Sequence, residues 1–187
     1  PKFVFWLDLQ PGLEHILKGM PKKKRYEIRA AHKKGVSYTL GSEEDLGAFY
    51  ALMAETAERK GIGFHGMAYY RDLYRMLKDS MEAELFLGRY EGETVSAGIS
   101  LAYGKKAWLL YLASSEKHLR LAPNRALQWE MIQWAADRGC LRYDFRGTGT
   151  DDPPNPENPG YGVYKFKKSF GPDFARLAGY YDAIGSY

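Results

Sequence analysis

A chain of 187 residues, 45% apolar and 27% charged, suits one globular domain that buries roughly 70% of its unfolded surface. No run approaches the ~20 apolar residues of a membrane helix, and no signal-peptide pattern opens the chain. The single Cys140 excludes an internal disulfide and a cysteine zinc cage, which favours a reducing, cytoplasmic setting.

Lys2 to Leu9 is apolar and β-prone and reads as a strand, turned by Pro11-Gly12. Leu13, Ile16 and Leu17 give a short helical face. A basic helix follows from about Pro21 to Lys34, with proline suited to its first turn and Gly35 to its end. Lys22, Arg25, Arg29 and Lys33 are spaced 3, 4 and 4 apart and share one side of that helix. The net charge of +4 is thus unevenly spread, and this face suits a polyanion such as RNA, a nucleotide or a phosphorylated lipid. A solvated surface would show the same pattern.

Val36 to Leu40 is a short strand, and Ser42 with Glu43, Glu44 and Asp45 opens a helix carrying Leu46, Phe49, Tyr50, Met53 and Ala57 at helical spacing. A second helix runs from about Met67 to Lys78. The period then changes to two: Ala83–Tyr90, Thr94–Tyr103 and Ala107–Ala113 are strands joined by Glu91-Gly92-Glu93 and Gly104-Lys105-Lys106 turns. A long helix from about Pro123 to Arg138, a strand at 141–145, a polar Gly/Pro/Asp/Asn loop, a short helix at Tyr161–Phe170 and a strand near Phe174–Tyr181 complete the order.

From Val36 onward this is an antiparallel meander followed by a helical crossover, an α/β sandwich with a mixed sheet flanked by helices. The order resembles the acyl-CoA N-acyltransferase (GNAT) fold. Residues 36–187 form that unit in this reading. Residues 1–35 are the tail of a missing amino-terminal subdomain with a basic linker helix, packed outside the sandwich. The strand at Lys2–Leu9 is then an exposed edge open to self-association.

Coenzyme A enzymes of this fold hold pyrophosphate on a glycine-rich turn at a helix N-terminus. The matching turn, His118 to Asn124, has no glycine, and Pro123 removes one N–H. That argues for another acyl donor. The four histidines have no metal spacing, and no Ser-His-Asp or Cys-His constellation stands out.

Three stretches, "KKKRYEIRAAHKKGV" (22–36), "APNRALQWEMIQWAADRGCLRYDFRG" (122–147) and "GYGVYKFKKSFGP" (160–172), carry a resemblance to the Fem family. Its members are aminoacyl-tRNA-dependent transferases that add amino acids to the peptidoglycan stem peptide. The resemblance implies an aminoacyl-tRNA donor without a further cofactor or metal, and a peptidoglycan precursor or related cell-envelope acceptor. It implies cytoplasmic action, at the inner face of the membrane. It places Phe166 and Lys167 at the transfer centre, and His65 with Tyr69 on the acceptor side, with histidine where relatives carry arginine. Tyr111, Ser114 and Ser115 at a central strand end, and Asp144 and Arg146 at the next, complete the substrate-binding candidates. Lys22, Arg25, Arg29 and Lys33 would meet tRNA phosphates. A coenzyme A-dependent small-molecule N-acyltransferase and a noncatalytic module binding RNA or a cell-wall precursor are the rival readings.

Overall fold

A computed structural model describes residues 3–147, 154–158 and 160–177. Its elements are β1 (Phe3–Asp8), α1 (Leu13–Gly19), α2 (Lys22–Lys33), β2 (Ser37–Gly41), α3 (Leu46–Lys60), α4 (Met67–Ser80), β3 (Glu82–Tyr90), β4 (Glu93–Tyr103), β5 (Lys106–Ser114), α5 (Pro123–Asp137), β6 (Arg142–Gly147), α6 (Tyr161–Lys168) and β7 (Asp173–Arg176). Seven strands form one sheet in the order β2-β3-β4-β5-β6-β1-β7. All neighbours are antiparallel except β5 and β6.

The meander follows from period-two burial and two tight turns. On β3, Phe86 packs under α5, whereas Leu85 and Leu87 face the layer of α3 and α4. Glu91 and Gly92 take φ of 50° and 83°, the left-handed pair that a twisted two-residue hairpin needs. Gly98, at the middle of β4, has no room for a side chain: a Cβ there would lie 2.5 Å from the Met131 methyl and 2.6 Å from the Tyr111 carbonyl oxygen. Helix α5 therefore crosses the sheet closely at that point. Its residues Leu127, Met131 and Ile132 are fully buried.

Tyr143 anchors β6. Its buried hydroxyl meets Ser100 Oγ on β4 at 3.1 Å and accepts from Gln128 Nε2 on α5 at 3.0 Å. The strand that enters the site is thus tied to both layers behind it.

The amino-terminal segment departs from expectation. β1 lies inside the sheet, paired to β6 on one side and β7 on the other, so it has no free edge for a second copy. Phe5 and Leu7 are buried in the same core as Tyr164 and Phe170. Helix α2 is bound to α5 through Glu27–Arg125 and His32–Glu130. The physical reason is that the chain returns: β7 follows α6 and covers the edge of β1 that β6 leaves open. Residues 3–35 are part of the sandwich. The final strand is described over Asp173–Arg176, and the remainder expected up to Tyr181 falls outside the described residues from 178 onward, as does much of the polar loop at 148–153.

Candidate active site

β5 and β6 pair in parallel only where Lys106, Ala107 and Trp108 face Arg142, Tyr143 and Asp144. Past that point a cleft of about 1080 Å³ takes its floor from both strands, with Leu109, Leu110 and Leu112 on one side and Phe145 on the other. Ala122 to Arg125 at the start of α5, Arg59 and Lys60 at the end of α3, and Phe166 and Lys167 of α6 form its walls. Five cations, Arg59, Lys60, Arg125, Arg146 and Lys167, line it against one acid, Glu27. Glu27 is already engaged by Arg125 at 2.6 Å and by Lys24 at 3.0 Å. An apolar floor beneath unneutralised positive charge suits an anionic ligand with an organic body.

Lys167 is 7% exposed, and its Nζ donates to the carbonyl oxygens of Phe145 at 2.5 Å and Gly147 at 2.7 Å. Burial pushes its pKa down to about 8, and the Arg146 charge adds to the effect. An ammonium has three donors, and two are spent on carbonyls, so one remains for the cleft. Tyr164 and Lys167 are the inward pair of α6, Lys168 is exposed, and half-buried Phe166 lies in the cleft wall with its centroid 5.2 Å from the Arg125 guanidinium carbon.

Asp144 does not line the cleft. It is 5% exposed and takes Lys106 Nζ at 2.6 Å, Trp6 Nε1 at 3.0 Å and the backbone N–H of Arg146 at 2.6 Å. With its oxygens filled from within the protein, it orients its neighbours, and a direct substrate contact is not what its geometry offers. Arg146 does line the cleft, at a positive φ of 62°.

Ser114 lines the cleft, buried, with its Oγ accepting from Asn124 Nδ2 at 2.9 Å and its carbonyl oxygen accepting from Arg59 at 3.3 Å. Ser115 is not in the wall: its hydroxyl turns to Glu55 at 3.4 Å and ties the strand end to α3. Tyr111, Tyr69 and His65 form a separate group beside the cleft. The two hydroxyls meet at 3.3 Å, and the His65 ring stacks on Tyr69 with centroids 4.0 Å apart. Burial, then the bond to Tyr69, holds the Tyr111 hydroxyl well above the ordinary tyrosine range.

On α2, Arg25 leaves the expected basic face. Its guanidinium donates to the carbonyl oxygens of Lys18 at 2.6 Å and Met20 at 2.8 Å, closing the end of α1. Lys22, Arg29 and Lys33 stay exposed, joined by Tyr26 at 68% exposure. Sequence reasoning missed Arg59, Lys60 and Arg125. The only signal for them was a cation near each helix end that the fold turns to the splayed strands. No cluster of metal-ligating side chains occurs among the described residues, and none of their helices is long and apolar enough to cross a membrane.

Residues 21–168 match the acetyltransferase (GNAT) domain family. The match begins at Pro21, so it includes α2. Over 182 residues the chain is 32% identical to the UDP-N-acetylmuramoylpentapeptide-lysine N(6)-alanyltransferase of Weissella viridescens, covering 94% of this chain and 51% of that protein. It is 24% identical over 230 residues to the lipid II:glycine glycyltransferase of Staphylococcus saprophyticus, covering 90% and 55%. The crystal structure of FemX superposes with a TM-score of 0.87 at 22% identity, over 94% of this chain and 60% of that one. The chain spans about half the length of the curated relatives it matches. A family match across most of the chain, with Fem-type relatives aligned along nearly all of it, carries one conclusion: the chain belongs to the GNAT acyltransferase family and stands within it beside the Fem-type transferases.

Proposed function

We propose that the chain carries the transfer centre of an aminoacyltransferase that moves the aminoacyl group of an aminoacyl-tRNA to an amine of a peptidoglycan precursor or related cell-envelope acceptor. The observation that carries this reading is Lys167, an ammonium buried where β5 and β6 part, with two donors fixed on carbonyls and the third left for a ligand. The acceptor amine attacks the ester carbonyl carbon. The C–N bond forms, the carbonyl oxygen takes negative charge, and the C–O bond to the ribose breaks as that oxygen leaves with a proton from the amine. Lys167 stabilises the oxyanion in a water-poor site, and the cleft walls hold the two substrates in line.

The start of α5 supports this donor over coenzyme A. Ala122 precedes the helix at φ 52°, Pro123 has no N–H, and the Arg125 N–H returns to the Ala122 carbonyl oxygen at 3.0 Å. Few amides are left there to cradle a pyrophosphate. The exposed face Lys22-Tyr26-Arg29-Lys33 runs along the helix whose Glu27 enters the cleft, so tRNA phosphates on that face would bring an acylated end toward Lys167. The names of the relatives, one with a UDP-linked acceptor and one with lipid II, favour an anionic acceptor at Tyr69, Tyr111 and His65. Such a reaction belongs to the cytoplasm and, for a lipid-linked acceptor, to the inner face of the membrane.

The test is transfer by the full-length protein from a panel of charged tRNAs to peptidoglycan precursor, read as a mass shift of the acceptor. A mass shift with acetyl-coenzyme A on a small amine, and none with any charged tRNA, would overturn the reading.

A further inference from the structure

Arg146 combines three features that the fold does not need together. Its φ of 62° is a conformation that a side chain with a Cβ adopts at a cost in energy. That conformation is clamped from both sides. Asp144 Oδ1 accepts its N–H at 2.6 Å, and Lys167 Nζ takes the carbonyl oxygens of the residues before and after it, Phe145 at 2.5 Å and Gly147 at 2.7 Å. The β1–β6 register shifts at the same place. Val4 faces Gly147 and Trp6 faces Asp144, so Phe145 and Arg146 together oppose Phe5 alone. This is a β-bulge, a device that re-aims a side chain. The third feature is the guanidinium itself, which is exposed, lines the cleft and has no partner among the described residues. Arg125 is held by Glu27, Arg59 by the Ser114 carbonyl oxygen and Lys167 by its two carbonyls.

We propose that Arg146 is the anion-binding residue of this cleft, gripping an oxyanion of one substrate, carboxylate or phosphate, with Asp144 and Lys167 as the clamp that aims it. A guanidinium presents a planar fork that matches two oxygens of either anion, which a lysine cannot do. The proposal rests on the transferase reading for which substrate brings the anion, and on the geometry alone for the site. It also gives the clamp a second consequence. Arg146 and Lys60 both depress the Lys167 pKa. An anion bound between them screens that repulsion and keeps Lys167 charged when its donor is needed. Asp144 does not line the cleft, and is a positioning residue.

Glycine provides a clean test, because it takes φ 62° without strain. The chain and its Arg146→Gly and Arg146→Lys variants are titrated by calorimetry with inorganic pyrophosphate, UDP-N-acetylmuramoylpentapeptide and a CCA trinucleotide. Each is also melted. The expected result is a melting temperature for Arg146→Gly equal to or above that of the parent, with affinity for pyrophosphate and for one of the two larger probes falling at least tenfold. Arg146→Lys falls between. The larger probe that loses affinity names the source, acceptor or donor. Unchanged affinity of Arg146→Gly for all three probes overturns the proposal, as does absence of binding by the parent chain. A loss of affinity accompanied by a lower melting temperature also overturns it, since the residue would then be scaffold. A full-length protein that transfers from no charged tRNA, while pyrophosphate binding still requires Arg146, would sink the transferase reading and leave this one standing.

Discussion

Glu27 on α2 and Arg125 on α5 meet at 2.6 Å, Oε2 to Nε, and through this pair the amino-terminal segment becomes a wall of the cleft. Arg125 also lies over the rings of Phe166 and Phe170 and donates to Ser169 Oγ at 2.5 Å. One guanidinium therefore joins α2, α5 and the end of α6. Its side chain is 10% exposed and that of Glu27 20%. Removing the acid leaves a mostly buried cation uncompensated, which for a fully buried pair costs about 3–5 kcal/mol. With a fifth of Glu27 in water, Glu27→Ala should cost about 2 kcal/mol in urea unfolding. A change under about 0.5 kcal/mol would show that the pair does not bind the two helices.

Lys167 and Lys168 are sequence neighbours with opposite surroundings, one buried on backbone carbonyls and one exposed. On the proposed transferase reading, Lys167→Ala in the full-length protein should lower turnover on the order of 10²–10³-fold. Lys168→Ala should leave it within about twofold. Equal small effects would reduce α6 to a connection.

The depressed Lys167 pKa has a definite sign in stability. The folded value of about 8 lies below the ordinary 10.5, so between these pH values the unfolded chain binds more protons than the folded one. The cost of the buried ammonium is present in full below pH 8 and relieved as pH rises toward the ordinary lysine value. The charged groups acting on it are Arg146, Asp144 and Lys60. Urea melts of the parent and Lys167→Met should show the parent gaining on the variant by up to about 1.4 kcal/mol per pH unit above pH 8. A flat difference would mean that the ammonium is not desolvated.

On α2, tRNA affinity should fall with salt, and Lys22→Gln and Arg29→Gln should each reduce the log–log slope by about one. Arg25→Gln should leave the slope unchanged and lower the melting temperature instead, because Arg25 closes α1. A full unit lost with Arg25 would restore it to the nucleic-acid face.

Gly98→Ala should cost about 1–3 kcal/mol, because the Met131 methyl has some freedom to move but the Tyr111 carbonyl oxygen does not. Circular dichroism melts of the variant decide it.

By itself the sequence determined the elements whose signals are local. The change to period two gave the strands at Ala83–Tyr90 and Thr94–Tyr103, Glu91-Gly92 turned the hairpin, and Pro123 and Gly139 bracketed α5, because period and turn chemistry act over a few residues. The apolar, β-prone run of β1 showed a strand but not its neighbours. Trp6 donates to Asp144 across 138 residues of chain, and β7, which closes the far edge, comes later still. The order of residues in α6 did not show what holds Lys167. The tertiary structure decided it, because the β-bulge leaves two carbonyl oxygens that an ammonium can satisfy and an aromatic ring cannot. Arg59, Lys60 and Arg125 met at one cleft for a similar reason: the end of α3 and the start of α5 converge only where β5 and β6 part. Local periodicity carries no record of that convergence, which arises when distant backbone groups must find partners in one sheet.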